Sequence, residues 1–414
     1  MARLQTISEE EIQEMSSSLQ SRVVTEVVAQ VQGMLGQLSS TTLDIAVTGE
    51  SGSGKSSFIN AFRGIAEDDP GAARTGVTET TQEIIPYAHP SVPTVRLWDL
   101  PGIGTPTFQP EQYLQDVGLA KYDFFIIVAS ERFRECHVTL ASCVAQAGKR
   151  FYFVRNKVDN DLEASARRRG RLGFSEEAIL REMRADCEAG LRRIGEGQPR
   201  VFLLSSFQPH RFDFPLLHET LERELEGHKR HVFLLALPSL TTAALEKKQQ
   251  ALAGSVWQTA MASCLTAATP GGAVHSSVPM LMRELQSYQR SFGLDTKSLL
   301  RLANMTGKSY QELYGEVRST SGRELCVQSV EGMLSQAALG QQVLVGLLES
   351  QVPVLGIIVS GGVSFIASYS LLKSAIRDLR EDAERVLRRA LDGAGVESKD
   401  PQEDISDPGY FYGD

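Results

Sequence analysis

The chain has 414 residues, of which 42% are hydrophobic and 22% charged, with a formal net charge of −9 and a pI near 5.5. That length supports two or three domains with real cores, and the acidic balance argues against a nucleic-acid partner. Five cysteines, Cys136, Cys143, Cys187, Cys264 and Cys326, are odd in number and form no C-x-x-C pair, which fits a reducing compartment without a disulfide framework.

The first residues, MARLQTISEEEIQEM, are acidic where a signal peptide needs an apolar run, and Ala2 stands where N-myristoylation needs glycine. No prenylation box follows Tyr412, so the expectation is a cytoplasmic protein. Ser8-Glu-Glu-Glu opens a helical pattern in which Ile12, Met15, Leu19, Val23, Val27, Val31, Leu35 and Leu38 recur at helical spacing. Residues 1–40 therefore read as N-terminal helices that need a partner surface.

Leu43 to Val47 is a short β-branched run, predicted as a buried strand. Gly49-Glu50-Ser51-Gly52-Ser53-Gly54-Lys55-Ser56 then fits the G-x-x-x-x-G-K-[ST] phosphate loop residue for residue. Gly49, Gly52 and Gly54 allow the backbone turns that aim N–H groups of this loop, Ser51, Ser53 and Ser57 included, at phosphate oxygens. Lys55 supplies a charge for the β- and γ-phosphates, and the Ser56 hydroxyl suits Mg²⁺. Ser57 to Phe62 continues as a helix whose N-terminus faces the same anion.

From 41 to 237 the pattern alternates strand and helix. Thr94 to Trp98, Phe124 to Ala129, Phe151 to Val154 and Val201 to Leu204 are predicted strands, and Val138 to Ala147 and Ser175 to Ile194 predicted helices. Gly64 to Gly76 and Asp159 to Gly173 read as polar loops, the second carrying the basic run Arg167, Arg168, Arg169 and Arg171. The expected fold class is an α/β P-loop NTPase, with a mainly parallel sheet covered by helices on both faces. From 238 to 396 only helical periodicity is found, which predicts an all-helical domain, and 397–414 reads as an acidic flexible tail. Gln249 to Met282 and Gln351 to Leu372 lack Asp, Glu, Lys and Arg. The latter is long enough to span a bilayer, but Pro353, Gly356, Gly361 and Gly362 interrupt it. A buried helix or hairpin is expected, with membrane insertion as the alternative. Asp378 to Arg389 reads as an amphipathic continuation with its charges in solvent.

Base choice rests on Asn156-Lys157-Val158-Asp159, directly after the strand Phe151 to Val154. The Asp159 carboxylate can accept from N1–H and the N2 amine of guanine, donors that adenine lacks, and an unpaired buried carboxylate discriminates strongly. Asn156 can bond the O6/N7 side and the Lys157 stem can lie along the base. Ser205 and Ser206, after another strand, are candidates for a further base-contacting loop. Trp98-Asp99-Leu100-Pro101-Gly102 ends a strand with D-x-x-G, so Asp99 can hold Mg²⁺ and the Gly102 N–H can sense the γ-phosphate. Thr75, Thr78, Thr80 and Thr81 fill the candidate first switch, with Thr78 taken as the nucleotide-binding one. Ile103 stands where many switch GTPases carry a water-orienting Gln, so hydrolysis by an isolated domain is expected to be slow. Cys136-His137 and His228-Lys-Arg-His231 suggest catalytic or metal pairs, yet adjacent side chains rarely face one another and no carboxylate cluster accompanies the histidines.

The segments GESGSGKSSFINAFRG, GAARTGVTETT, YAHPSVPTVRLWDLPGIGT, YDFFIIVASERF, FYFVRNKVDNDL, FDFP and HKRHVFLLALP resemble the immunity-related, interferon-inducible GTPases of vertebrates. The resemblance spans about residues 10 to 390. It implies a Ras-like G domain at 41–237 and a helical domain built from both chain ends. It further implies GTP hydrolysis to GDP with turnover dependent on assembly into homodimers or larger oligomers across the nucleotide face, where Glu50 acts in trans. Lys55 matches the Gly-Lys-Ser group, thought to act as effectors, and related GTPases are implied partners. Peripheral association with endoplasmic reticulum, Golgi or pathogen-vacuole membranes and a part in cell-autonomous defence are also implied. The alternative from another class is a GTP-dependent membrane-binding scaffold with little or no hydrolysis.

Overall fold

Seven consecutive buried residues, Leu43–Gly49, form β1, and the sheet is built out from it on both sides. The computed structural model describes residues 24–76, 83–103, 110–173, 175–194, 200–209, 211–268, 278–323, 325–338 and 365–392. Six strands, β1, β2 (Ile85–Ala88), β3 (Val95–Asp99), β4 (Phe124–Ala129), β5 (Arg150–Arg155) and β6 (Val201–Leu203), lie in the order β2-β3-β1-β4-β5-β6. β2 is antiparallel to β3 and the other neighbours are parallel, with Leu43 opposite Val95 and Ile45 opposite Phe124. Parallel neighbours need crossovers, and the helices between the strands supply them. The P-loop NTPase class expected from the sequence is the observed one. The strand absent from that reading is β2, four residues long, alternately half-buried and exposed, with Pro86 tolerated because the strand is at the edge.

Alternate residues of each strand feed opposite faces. Leu43, Ile45 and Val47 pack with Phe58, Phe62, Phe214 and Phe233 on one side. Ala46, Phe125 and Ile127 pack with Leu140, Val144 and Leu191 on the other.

The expected loop from Asp159 to Gly173 is instead part of a helix, Val158–Gly173. Asp159 and Asp161 sit in its first turn, where they complement the helix dipole, and Glu163 pairs with Arg167 one turn on. Arginine is a good helix former, and Arg167 and Arg168 stand exposed on this helix.

Among the helices at the two chain ends, α1 (Val24–Ser40) places Val31 in one apolar cluster with Leu245 and Val256 of Thr242–Ala268 and with Tyr369 and Leu372 of Phe365–Leu391. Residues 365–372, the described end of the charge-free stretch, are all buried. The rest of that stretch lies outside the described residues, as do 1–23, Thr78, Thr80, Thr81 and the tail after 392. Among the described residues no helix is long and apolar enough to cross a membrane.

Asp382 departs from the expected solvent-facing pattern, being 0% exposed. Its carboxylate accepts from Arg318 N at 3.0 Å, Ser319 N at 3.1 Å and Ser319 Oγ at 2.5 Å, and it pairs with Arg385. The sequence shows an acid in a run of mixed charges, and only the incoming 318–319 backbone makes it an interior clasp. Asp382→Ala is expected to destabilise the protein by about 3 kcal/mol, because it strands two N–H groups and the Ser319 hydroxyl and takes the carboxylate from the half-buried Arg385. Equilibrium urea unfolding measures it.

Candidate nucleotide site

The phosphate-loop motif turns back at the head of β1. Gly49 has φ 144°, and a Cβ there would lie 1.9 Å from Val128 O, so only glycine lets the loop leave the sheet at this point. Lys55, the first residue of the helix Lys55–Phe62, curls back over the loop and donates to Gly49 O at 3.3 Å and Glu50 O at 3.1 Å. The ammonium is thereby held under a crown of backbone. Ser56 Oγ donates to Asp99 Oδ2 at 2.7 Å, both residues being buried. This pair joins two motifs 43 residues apart into one oxygen-rich corner.

The second half of the site comes from the end of β5. Asn156 is buried, and its amide nitrogen reaches Ser53 O at 3.3 Å and Gly54 O at 3.4 Å. Its oxygen accepts from Ser206 N at 3.2 Å and Ser206 Oγ at 3.0 Å. Beside the base contact expected from the sequence, its amide fastens the phosphate loop to the loop after β6. Lys157 holds a left-handed backbone, φ 59°, and its Nζ donates to Gly52 O at 2.7 Å, so its stem crosses the cleft mouth. Asp159 Oδ1 is buried with no hydrogen-bond partner.

These pieces surround a cleft of about 310 Å³. Of the residues expected from the sequence, Ser51, Gly52, Gly54, Lys55, Ser56, Ser57, Thr75, Gly102, Asn156, Lys157, Asp159 and Ser206 line it. Gly49, Ser53, Asp99 and Ser205 stand behind the wall, and Ser205 is buried. Glu67, Asn160 and Phe207 also line the cleft and were not singled out in the sequence. Glu67 accepts from Ser57 Oγ at 2.9 Å, and Phe207 presents a ring that is 67% exposed. An aromatic next to Ser205-Ser206, in the candidate base-contacting loop, was the available signal.

D-x-x-G is held by neighbours. Ile103 N donates to Gly49 O at 3.0 Å, and its side chain is buried in the core. Tyr113 Oη donates to Pro101 O at 3.0 Å and shares a 2.7 Å hydrogen bond with Thr48, which pins the loop to the end of β1. Burial raises the Tyr113 phenol above its usual range, so it remains a neutral donor.

Glu50 is placed differently from the expectation of an outward, trans-acting carboxylate. Its backbone bridges Ile103 as a strand would, and its side chain, 11% exposed, points back into the same chain. Oε1 lies 3.3 Å from Arg134 Nη1, accepts from Cys136 Sγ at 3.3 Å and stands 3.8 Å from His137 Nε2. Arg134 supplies the charge that draws it inward. Cys136 and His137 therefore do face a common point, contrary to their sequence adjacency. They do not make a metal site, because His137 Nδ1 accepts from Arg134 N at 3.1 Å and so leaves the ring proton on Nε2. Burial and the Glu50 carboxylate push the Cys136 thiol up to about 11, so it is no thiolate nucleophile.

A family model described as interferon-inducible GTPase (IIGP) matches residues 8–356. The chain is 41% identical over 388 residues to the rat protein named interferon-inducible GTPase 5, covering 93% of this chain and 84% of that one. The cattle protein of the same name is 42% identical over 402 residues, covering 97% and 85%. Mouse interferon-gamma-inducible GTPase 10 is 35% identical over 386 residues, covering 93% and 90%.

Proposed function

Since the chain belongs to the interferon-inducible GTPase family, we propose that it binds GTP with Mg²⁺ in the cleft at the head of β1 and hydrolyses it to GDP and phosphate, with turnover raised by self-assembly. The observation that carries this reading is the convergence of Lys55, the Ser56–Asp99 pair and the unpartnered Asp159 oxygen around one cleft. Asp159 accepts the two guanine donors, the Lys157 stem and the exposed Phe207 ring offer apolar surface to the base, and Lys55 leaves its carbonyl partners for the phosphates. Ser56 and Asp99 present a hydroxyl and a carboxylate, hard oxygen donors that suit Mg²⁺, with one of the switch threonines, Thr78 for instance, as a further ligand. When bound, the ion neutralises charge on the β- and γ-oxygens. The Gly102 N–H is the candidate donor to the γ-phosphate.

Among the described residues the cleft has no group placed to orient the attacking water. Ile103 is aliphatic and buried, and Glu50 is turned away toward Arg134. A second copy meeting the nucleotide face would draw Glu50 out of this clasp and complete the site, so monomers turn over slowly. Related GTPases are candidate partners on the same face, and the protein is read as cytoplasmic with peripheral attachment to endoplasmic reticulum, Golgi or pathogen-vacuole membranes in cell-autonomous defence. Glu50→Ala is expected to remove the concentration-dependent part of turnover, about tenfold or more, while GTP affinity stays near wild type. Phosphate release combined with calorimetry tests it; concentration-dependent turnover that survives in the variant contradicts the role given to Glu50. The scaffold reading is favoured instead if wild-type protein assembles on GTP without phosphate release.

A further inference from the structure

A second concentration of positive charge lies far along the same helix that begins with Lys55. That helix, Lys55–Phe62, is C-capped by Arg63, and Arg63 lines a cavity of about 100 Å³ between the sheet-bearing part of the chain and the helical part. The cavity shares Arg290 and Arg301 with a wider opening of about 540 Å³, which Lys297 and Asp295 also line. Lys248, only 2% exposed, forms part of the inner wall. Four cations, Arg63, Arg290, Lys297 and Arg301, thus face two carboxylates, Asp69 and Asp295, a surplus of two positive charges in a chain of net −9, and Lys248, which burial holds down to about 7, adds a part-charged amine beside them.

Both carboxylates are already engaged. Asp69 accepts from Arg301 Nε at 2.7 Å, and Asp295 caps a helix by accepting from Ser298 N at 3.3 Å and Ser298 Oγ at 2.6 Å. Lys248 Nζ donates to Ser239 Oγ at 2.8 Å and to Ser291 O, which uses two of its three protons. Arg63 donates only to carbonyls, Ala88 O and Gly71 O, each at 3.0 Å. Arg290 is exposed at the rim and makes no ion pair among the described residues. Buried cations without counter-ions are costly. Burial and the neighbouring Lys248, Arg63 and Arg301 charges hold His89, in the same wall, down to about 3. The ring is therefore neutral, and its Nδ1 accepts from Ser91 N at 3.3 Å.

We propose that this crevice binds a phosphate group, free or on a larger molecule, through Lys248, Arg63 and Arg290, and that the bound anion ties the helical part to the far end of the phosphate-loop helix. A single tetrahedral anion supplies several acceptors at once to donors that now end on carbonyls or solvent. The test uses the full chain saturated with GDP and Mg²⁺, so that the phosphate loop is occupied, and follows thermal unfolding during titration with inorganic phosphate. A saturable rise in Tm is expected that sodium chloride at equal ionic strength does not reproduce. Lys248→Met and Arg290→Gln are each expected to weaken the apparent phosphate affinity about tenfold or more. Without phosphate, Arg290→Gln is expected to melt with the wild type, which separates loss of the site from loss of fold. Vesicles of phosphatidylcholine containing phosphatidylinositol 4-phosphate distinguish the source. Sedimentation with them, competed by inorganic phosphate, assigns a lipid headgroup, whereas a phosphate response without sedimentation assigns a soluble phosphate compound. A Tm that follows ionic strength alone, or an unchanged phosphate response in both variants, overturns the proposal.

Discussion

Asp159→Asn is expected to weaken GTP binding about a hundredfold to ten-thousandfold and to bring xanthosine triphosphate into the range the wild type shows for GTP. The carboxylate accepts two donors from guanine, and hydrogen bonds to a charged group contribute about 1.5–3 kcal/mol each, so losing both corresponds to about 3–6 kcal/mol. An amide turns one acceptor into a donor aimed at a donor. Xanthine offers a carbonyl where guanine has its amine, which the amide can satisfy. The buried Asp159 Oδ1 has no hydrogen-bond partner, so its acceptor capacity is ready for a ligand. Calorimetry with GTP, ATP and xanthosine triphosphate on both proteins reads the switch; wild-type affinity equal for ATP and GTP contradicts it.

Lys55→Ala is expected to remove measurable triphosphate binding, a loss of at least about a hundredfold, since one ammonium serves two phosphate groups with charge-assisted bonds. The side chain also holds Gly49 O and Glu50 O, so the loop itself loses an internal tie. The variant is nevertheless expected to keep its fold, because the loop remains anchored by Asn156 to Ser53 O and Gly54 O. Unchanged nucleotide affinity in a folded variant would mean that the phosphate loop is not the site.

These motifs were legible because each is a contiguous string whose chemistry is carried by the strand end beneath it. Gly49 to Ser56, Asp99 to Gly102 and Asn156 to Asp159 leave β1, β3 and β5, three parallel strands pointing the same way. Parallel strands gather such loops at one edge without further information. What the string could not reveal depends on residues distant in sequence. Glu50 and Cys136 are 86 positions apart, and only the packing of the helix Glu135–Gln146 brings the thiol to the carboxylate. Asn156 reads as a base contact alone, and only the loop after β6 shows that it also fastens Ser206 to the phosphate loop. Asp382 looks like one more surface acid until the 318–319 backbone arrives. The helix from Val158 was hidden by its arginines and glycines, whose loop-like composition outweighed an acidic first turn. The short edge strand β2 has one half-buried face and a proline, too little alternation to separate from a loop.

The central claim is that this cleft is complete for binding GTP and incomplete for hydrolysing it until a second copy arrives. The most direct measurement is phosphate release per molecule across a hundredfold dilution series of the pure wild-type protein at saturating GTP and Mg²⁺. Specific activity is expected to climb with protein concentration and to level off once assembly is complete. Activity per molecule that stays constant over the whole range would contradict it, and would mark a monomer that supplies its own catalytic groups.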